Sequence, residues 1–365
     1  MIEINKAGTL TTIQDAGRPG FQELGVPESG ALDNFAFRCA NILVGNPENT
    51  PVLESVLFGP EVKFSENIYI AITGANLGPS IDGNKVNMWE TLEVSPGSTL
   101  SFSGFTGNGI RAYLAISGGF GGEGVEKVMN SYSTYVPGEF GGYEGRALRD
   151  GDVLHTGIGL EGFKGGLSLE NPPSFGEDEL IRIIEGPQGD RFSESAIHTL
   201  TSASYEVTPN SDRMGCRLEG PVLEHVTGPD VISDGNAFGV IQVPGDGKPI
   251  ILLADRGTTG GYTKIATVIT ADRSKLAQLM PGSSITFEII DQDKAVDLLR
   301  EQEKALIALS KNQGLQLKFK VDGVLVDVVD DNERTFAVED LENTNYVVTV
   351  SDGVSDHQVR VDISE

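Results

Sequence analysis

Cysteine, histidine and positive charge are all scarce in this 365-residue chain, and each shortage excludes something. The two cysteines, Cys39 and Cys216, are too few and too far apart for a disulfide framework at this size, so both read as reduced thiols of a cytoplasmic protein. Neither has a histidine within several residues to serve as its base, and each reads as a small buried hydrophobe. The four histidines, His155, His198, His225 and His357, are scattered without ligand spacing, so no metal site is expected. No Gly-X-Ser-X-Gly elbow appears, which leaves a Ser-His-Asp triad without support. No run of about 18 uncharged apolar residues occurs and the start has no apolar signal region, so neither a membrane span nor a signal peptide is expected. Lys and Arg number 27 against 53 Asp and Glu, a formal charge of −26. A surface that acidic repels phosphate backbones and anionic lipid, which argues against nucleic-acid and membrane partners.

What the chain has instead is turn chemistry. Its 46 glycines and 17 prolines follow no Gly-X-Y period and predict many short strands joined by tight turns. One helix is predicted over 34–44, with Asp33 as N-cap and Gly45 just past its end. From Val52 to about Ile116 the pattern is β, marked by the run Ile68–Ile72, turns at Asp82-Gly83 and Pro96-Gly97, and a strand at 111–116. The Gly- and Pro-rich stretch 161–178 is the best linker, separating a domain at 1–174 from a second β domain at 175–290, in which 192–201 suggests a short helix. Residues 291–365 read as an extension. Lys294 to Leu309 has one apolar face of Ala295, Leu298, Leu299, Leu306 and Leu309, Gly314 stops it, and alternating strands follow around Asp322-Gly323 and at Val359, Val361 and Ile363. The residues from Glu288 onward carry 18 acidic and 8 basic groups, so −10 of the charge lies there.

The densest polar run is Ser211-Asp212-Arg213-Met214-Gly215-Cys216-Arg217-Leu218-Glu219. If extended, the period of two places Arg213, Arg217 and Glu219 on one face. Two guanidiniums beside a carboxylate suit a planar polar or anionic small molecule: the arginine forks take carbonyl or carboxylate oxygens and the glutamate an N–H. The same residues also fit a solvated strand edge laced by ion pairs. A second run, Ile241-Gln242-Val243-Pro244-Gly245-Asp246-Gly247-Lys248, precedes Asp255-Arg256-Gly257-Thr258-Thr259-Gly260-Gly261-Tyr262-Thr263-Lys264. Such loops can cradle an anion or simply turn a hairpin, and they do not make a Walker A loop.

Several of these segments, in order, resemble the biotin-dependent carboxyltransferase / allophanate hydrolase subunit 2 family. They are Thr11-Thr12-Ile13-Gln14-Asp15-Ala16-Gly17-Arg18-Pro19-Gly20, Ser29-Gly30-Ala31-Leu32-Asp33, Ala40–Asn46, Ser211–Gly215, Ser233-Asp234-Gly235, Ile241–Gly247 and Thr258–Tyr262. The likeness covers about residues 2–290 and departs at Glu28, where the family often has a small or apolar residue. It implies an all-β, mainly β fold of two cyclophilin-like β-barrel domains with few short helices, followed here by the helix and β-hairpin extension.

The stand-alone bacterial members of that family serve as the C-type component of an ATP-dependent 5-oxoprolinase, which opens 5-oxoproline to glutamate together with A-type and B-type components. The B-type component is a sister chain resembling allophanate hydrolase subunit 1. The resemblance therefore implies a hydrolase component active only in complex, with ATP and Mg needed by the complex but not assigned to this chain. On that reading Arg213, Arg217 and Glu219 are catalytic, stabilising an oxyanion and orienting an N–H, and Gln242, Asp246 and Tyr262 form a second, substrate-binding wall. Two alternatives stay open: half of a carboxyltransferase acting on urea or an amide, and an antagonist of a sister kinase-inhibitor protein. No methionine is followed by lysine, so no covalent biotin is expected on this chain, and any biotin comes from another protein.

Overall fold

Asp33 starts the first helix as the sequence predicts. Its carboxylate accepts a hydrogen bond from the Ala36 amide at 3.0 Å, satisfying a donor that the first helical turn leaves free. The helix, α1, runs Asn34–Leu43. The computed structural model describes residues 1–160 and 163–311, and beyond them only the backbone of five strands between Leu317 and Asp362. Residues 1–313 form one compact unit and 314–365 another. The two β domains read at 1–174 and 175–290 thus lie within a single unit.

The fold is mainly β. In the first half a seven-stranded sheet has the order Phe120–Gly121, Val153–Thr156, Ile2–Lys6, Glu61–Phe64, Thr99–Phe102, Pro79–Ile81, Asn84–Lys85. A five-stranded sheet has the order Leu10–Gln14, Val52–Val56, Arg111–Ile116, Ile68–Gly74, Thr91–Val94. Ile2, Ile4, Val62 and Phe64 of one sheet meet Ile13, Leu53, Ile72 and Leu114 of the other in a common core. The five-stranded sheet is covered on its other face by α1, whose Phe37, Ala40 and Leu43 pack with Ala71, Tyr113 and Ala115. Burial on both faces explains why 111–116 reads as an unbroken buried run rather than an alternating one.

The second half is a closed barrel. Its strands follow the order Asp178–Glu185, Ser284–Ile289, Tyr205–Val207, Gly215–Glu219, Ile250–Leu252, Val240–Val243, Thr259–Val268, and the last pairs back onto the first. The edge strand Asp230–Gly235 adds outside this ring, on Thr259–Val268. Helix α2, Glu194–Ser202, is capped by Ser193, and the short α3 is Arg273–Gln278. Both cysteines are free and buried, as expected, and burial pushes the Cys216 thiol up to about 12.

The helix grouped with the tail by sequence, α4, spans Gln292–Lys311 and docks on the first half. Leu306 and Leu309 are buried with α1 residues, each contributing about 1.5–3 kcal/mol. Arg38 grips Glu303 with both terminal nitrogens, at 2.5 and 2.7 Å. The Arg38 hydrogen bond holds the Glu303 carboxyl below its ordinary 4.5. A depressed folded-state value stabilises the fold above about pH 4.5 and loses that stabilisation as pH falls through the folded value. Both groups are partly exposed, so the pair is worth about 1 kcal/mol at most. The melting-temperature gap between wild type and Glu303→Gln should therefore be present at neutral pH and close as pH is lowered towards 3; a constant gap contradicts the pairing.

In the second unit Leu317–Val321 pairs with Val324–Val328, and Thr335–Asp340, Asn345–Ser351 and Asp356–Asp362 form an antiparallel sheet. The predicted Asp322-Gly323 turn, Leu315, Ile363 and linker residues 161–162 lie outside the described residues. Among the described residues no helix is long and apolar enough to cross a membrane.

Candidate functional site

Alternation along the barrel strands decides which polar side chains leave the core. Cys216, Leu218, Ile241, Val243 and Ile251 point into it. Arg217, Glu219 and Gln242 consequently face outward. Cross-strand register then lines them up: Arg217 is opposite Ile250, Ile250 opposite Gln242, and Gln242 opposite Lys264. Residues opposite each other share a face, so Arg217, Gln242 and Lys264 lie in one row across four strands, spaced by about 4.8 Å per strand. Tyr262, two residues before Lys264, joins the same face and is half-exposed. Of the residues singled out by sequence, Arg217, Glu219, Gln242 and Tyr262 are thus brought onto one outer wall.

Lys264 is the unusual member. Its side chain is 2 % exposed, and its Nζ has no hydrogen-bond partner. The nearest carboxylate, Asp234 of the edge strand, stands 3.6 Å away and is itself well exposed. A buried ammonium with three donors and none used is costly unless something else accepts from it. Beside it, the Gln242 amide nitrogen donates to Asn236 Oδ1 at 2.9 Å, and Asn236 donates to the Gly257 carbonyl at 3.0 Å. Gln242 is held by that chain with its carbonyl oxygen left to accept. Gly260 permits the packing, since a Cβ there would come within 2.6 Å of Gln242 Nε2 and 2.8 Å of Asn236 Nδ2. By register the lysine and the amide share one face, and an ammonium donor with an amide acceptor matches a planar group carrying C=O and N–H side by side.

Arg213 does not join this wall. Asp212 Oδ1 accepts from the amides of both Met214 and Gly215, turning the chain so that the strand begins only at Gly215. The Arg213 guanidinium enters the seam between the two halves instead. It bonds Asp255 at 2.9 and 3.3 Å, Glu54 Oε1 at 2.5 Å and the Gly30 carbonyl at 2.6 Å. Burial alone would lower its pKa, but Asp255 and Glu54 override that and hold it above its ordinary value. Glu54 also accepts from the Leu32 amide and the Tyr113 hydroxyl. Arg213 is a clamp, and the expected pairing of two guanidiniums on one strand face gives way to the pull of two buried carboxylates.

Asp246 lies off the wall and Glu219 at its end. Asp246 is an exposed turn residue that accepts from the Lys248 amide. Glu219 pairs with Lys248 at 2.5 Å at the strand's end. Arg217 is exposed and its guanidinium makes no hydrogen bond or ion pair among the described residues. No group of three or more His, Cys, Asp or Glu among the described residues is placed to hold a metal ion. Sequence reasoning missed Lys264, Asp234 and Asn236. The available signal was a lysine inside the otherwise β-branched and apolar stretch Thr263–Val268, where burial is forced by the strand.

A family model described as carboxyltransferase domain, subdomain A and B, matches residues 24–289. The chain is 36% identical over 304 residues to the C component of the 5-oxoprolinase of Escherichia coli, covering 83% of this chain and 96% of that protein. It is also 36% identical to urea amidolyase of Saccharomyces cerevisiae over 84% of this chain, which is 18% of that protein. The solved structure of the K. lactis urea amidolyase superposes with a TM-score of 0.79 at 30% identity, over 96% of this chain and 22% of that one.

Proposed function

The chain belongs to the family of carboxyltransferase domains built from subdomains A and B, and from that premise we propose that it is the C-type component of a cytoplasmic, ATP-dependent 5-oxoprolinase. The observation carrying this reading is the match to the 5-oxoprolinase C component, 36% identical over 83% of this chain and 96% of that protein. Its partners on this reading are a lactam-handling A-type component and the B-type sister chain, and the substrate is 5-oxoproline.

The outer wall suits a lactam, which presents C=O and N–H in one plane. Lys264 donates to the carbonyl oxygen and stabilises the negative charge that develops there as the ring opens. Gln242 accepts from the ring N–H and fixes the plane. Arg217 and Tyr262 border the row, with Glu219 beyond, and close it against the sister chain. Approach of the substrate displaces Asp234 from Lys264, which the one-sided pairing of the edge strand permits. ATP with Mg, needed by the complex and not assigned to this chain, would supply activation of the carbonyl oxygen as a phosphate and so open the carbon to water.

A second reading, carboxyl transfer to urea or an amide from biotin on another protein, draws on the structural likeness to urea amidolyase. The two separate in one experiment. With the A-type and B-type partners present, 5-oxoproline should stimulate ATP hydrolysis while urea does not. Urea-dependent turnover with a biotin carboxylase and carrier, and none with 5-oxoproline, replaces the first reading by the second.

A further inference from the structure

A cavity of about 270 Å³ lies away from the barrel wall, at the seam between the halves, and α4 roofs it through Leu299 and Gln302. By comparison with a 150 Å³ cavity that holds benzene, it has room for about ten heavy atoms. Two buried polar atoms on its lining residues have no partner, Ser29 Oγ and Arg273 Nε. Ser29 is 7 % exposed and held at φ +55°, a left-handed conformation that costs a non-glycine residue energy and that functional sites concentrate. It belongs to the Ser29–Asp33 motif, which the outer wall leaves unexplained.

The charges around the cavity are unevenly spent. Glu28 is taken by Arg256 at 2.6 Å, and Glu303 by Arg38. Arg273 has no carboxylate within ion-pair distance among the described residues. One of its nitrogens donates to the Phe238 carbonyl at 3.0 Å, and the guanidinium lies 4.8 Å from the Phe238 ring centroid. A ring face compensates a desolvated cation only in part. Burial and the neighbouring Arg256 pull the Arg273 pKa below its ordinary value, as expected of a cation short of a counter-charge. The paired glutamates on the wall disfavour a dianion, whereas one unspent guanidinium and one free hydroxyl match a single negative charge.

We propose that this cavity binds a small carboxylate of single net negative charge, held by the Arg273 guanidinium and the Ser29 hydroxyl beneath α4. That class takes in the lactam acid of the reaction proposed above and also its amino acid, in which the ammonium offsets one of two carboxylates. That choice of probes rests on the proposed function; the pocket itself does not.

The test is calorimetric titration of the full chain alone with 5-oxoproline, L-glutamate, acetate and inorganic phosphate. Saturable binding of a carboxylate is expected, with phosphate weaker, and the preference between lactam and glutamate identifies the source. Arg273→Gln should weaken binding at least about tenfold, the loss of one charged hydrogen-bonding partner. Leu299→Trp, which fills the cavity from α4 and keeps Arg273, should do the same with α4 still docked, so the proposal stays testable if the arginine variant does not fold. No saturation by any carboxylate up to about 20 mM, tighter binding of phosphate, or unchanged affinity in Leu299→Trp overturns it. Because the chain is titrated without partners, the result is independent of whether the complex turns over 5-oxoproline.

Discussion

Replacing Arg213 with methionine should destabilise the protein by about 3–5 kcal/mol, read as a lower urea midpoint at unchanged slope. The figure follows from what the variant leaves behind. Glu54 and Asp255 are 2 % and 5 % exposed, and both lose the guanidinium that neutralises them. Removing one partner of a buried ionic group strands the others as uncompensated charge, which costs far more than the net value of the intact group. Arg213→Lys should recover only part of the loss. A point charge on a flexible stem cannot fork to Asp255 while also reaching Glu54 and the Gly30 carbonyl. A variant that unfolds at the wild-type midpoint would place the clamp elsewhere.

Lys264→Met should have the opposite profile: turnover of the assembled complex falls by about 10²–10³-fold while stability holds or rises. Methionine nearly fills the lysine volume and removes a buried ammonium that makes no hydrogen bond. The carboxylate left behind, Asp234, is exposed and costs little when unpaired. The two variants therefore separate the roles sharply, because Arg213 carries the seam and, on the proposed function, Lys264 the chemistry. Steady-state kinetics beside a urea titration of each purified chain reads both. Full activity in Lys264→Met removes this residue from the reaction.

Local signals carried much of the fold. The cap at Asp33 and the apolar runs placed α1 and the first-half strands at 68–74 and 111–116 within a residue or two, because each rests on signals close in sequence, whereas the barrel strands were legible only as unbounded strands between turns. The apolar face read at Ala295–Leu309 also proved to be a real helix. What it packs on was hidden, since the Arg38–Glu303 pair spans 265 residues and nothing local to either end announces the other. The same limit governs the site. Period two gave Arg217 and Glu219 a common face correctly, but extending it to Arg213 ignored the Asp212 turn and two carboxylates distant in sequence. Lys264 escaped notice because a lysine is ordinarily a surface residue, and only cross-strand register shows it opposite Gln242. The net acidity of the chain is likewise a surface property: the polar residues that matter most, Arg213, Arg273 and Lys264, are cations drawn inward.

On the proposed function, this chain supplies one wall of the lactam site in an enzyme of three different chains. The most direct measurement is 5-oxoproline-dependent ATP hydrolysis by the A-type and B-type partners, alone, with this chain, and with its Lys264→Met variant. Turnover to glutamate is expected only when the wild-type chain is added. Equal turnover without the chain, or with the variant in place of the wild type, would contradict that role.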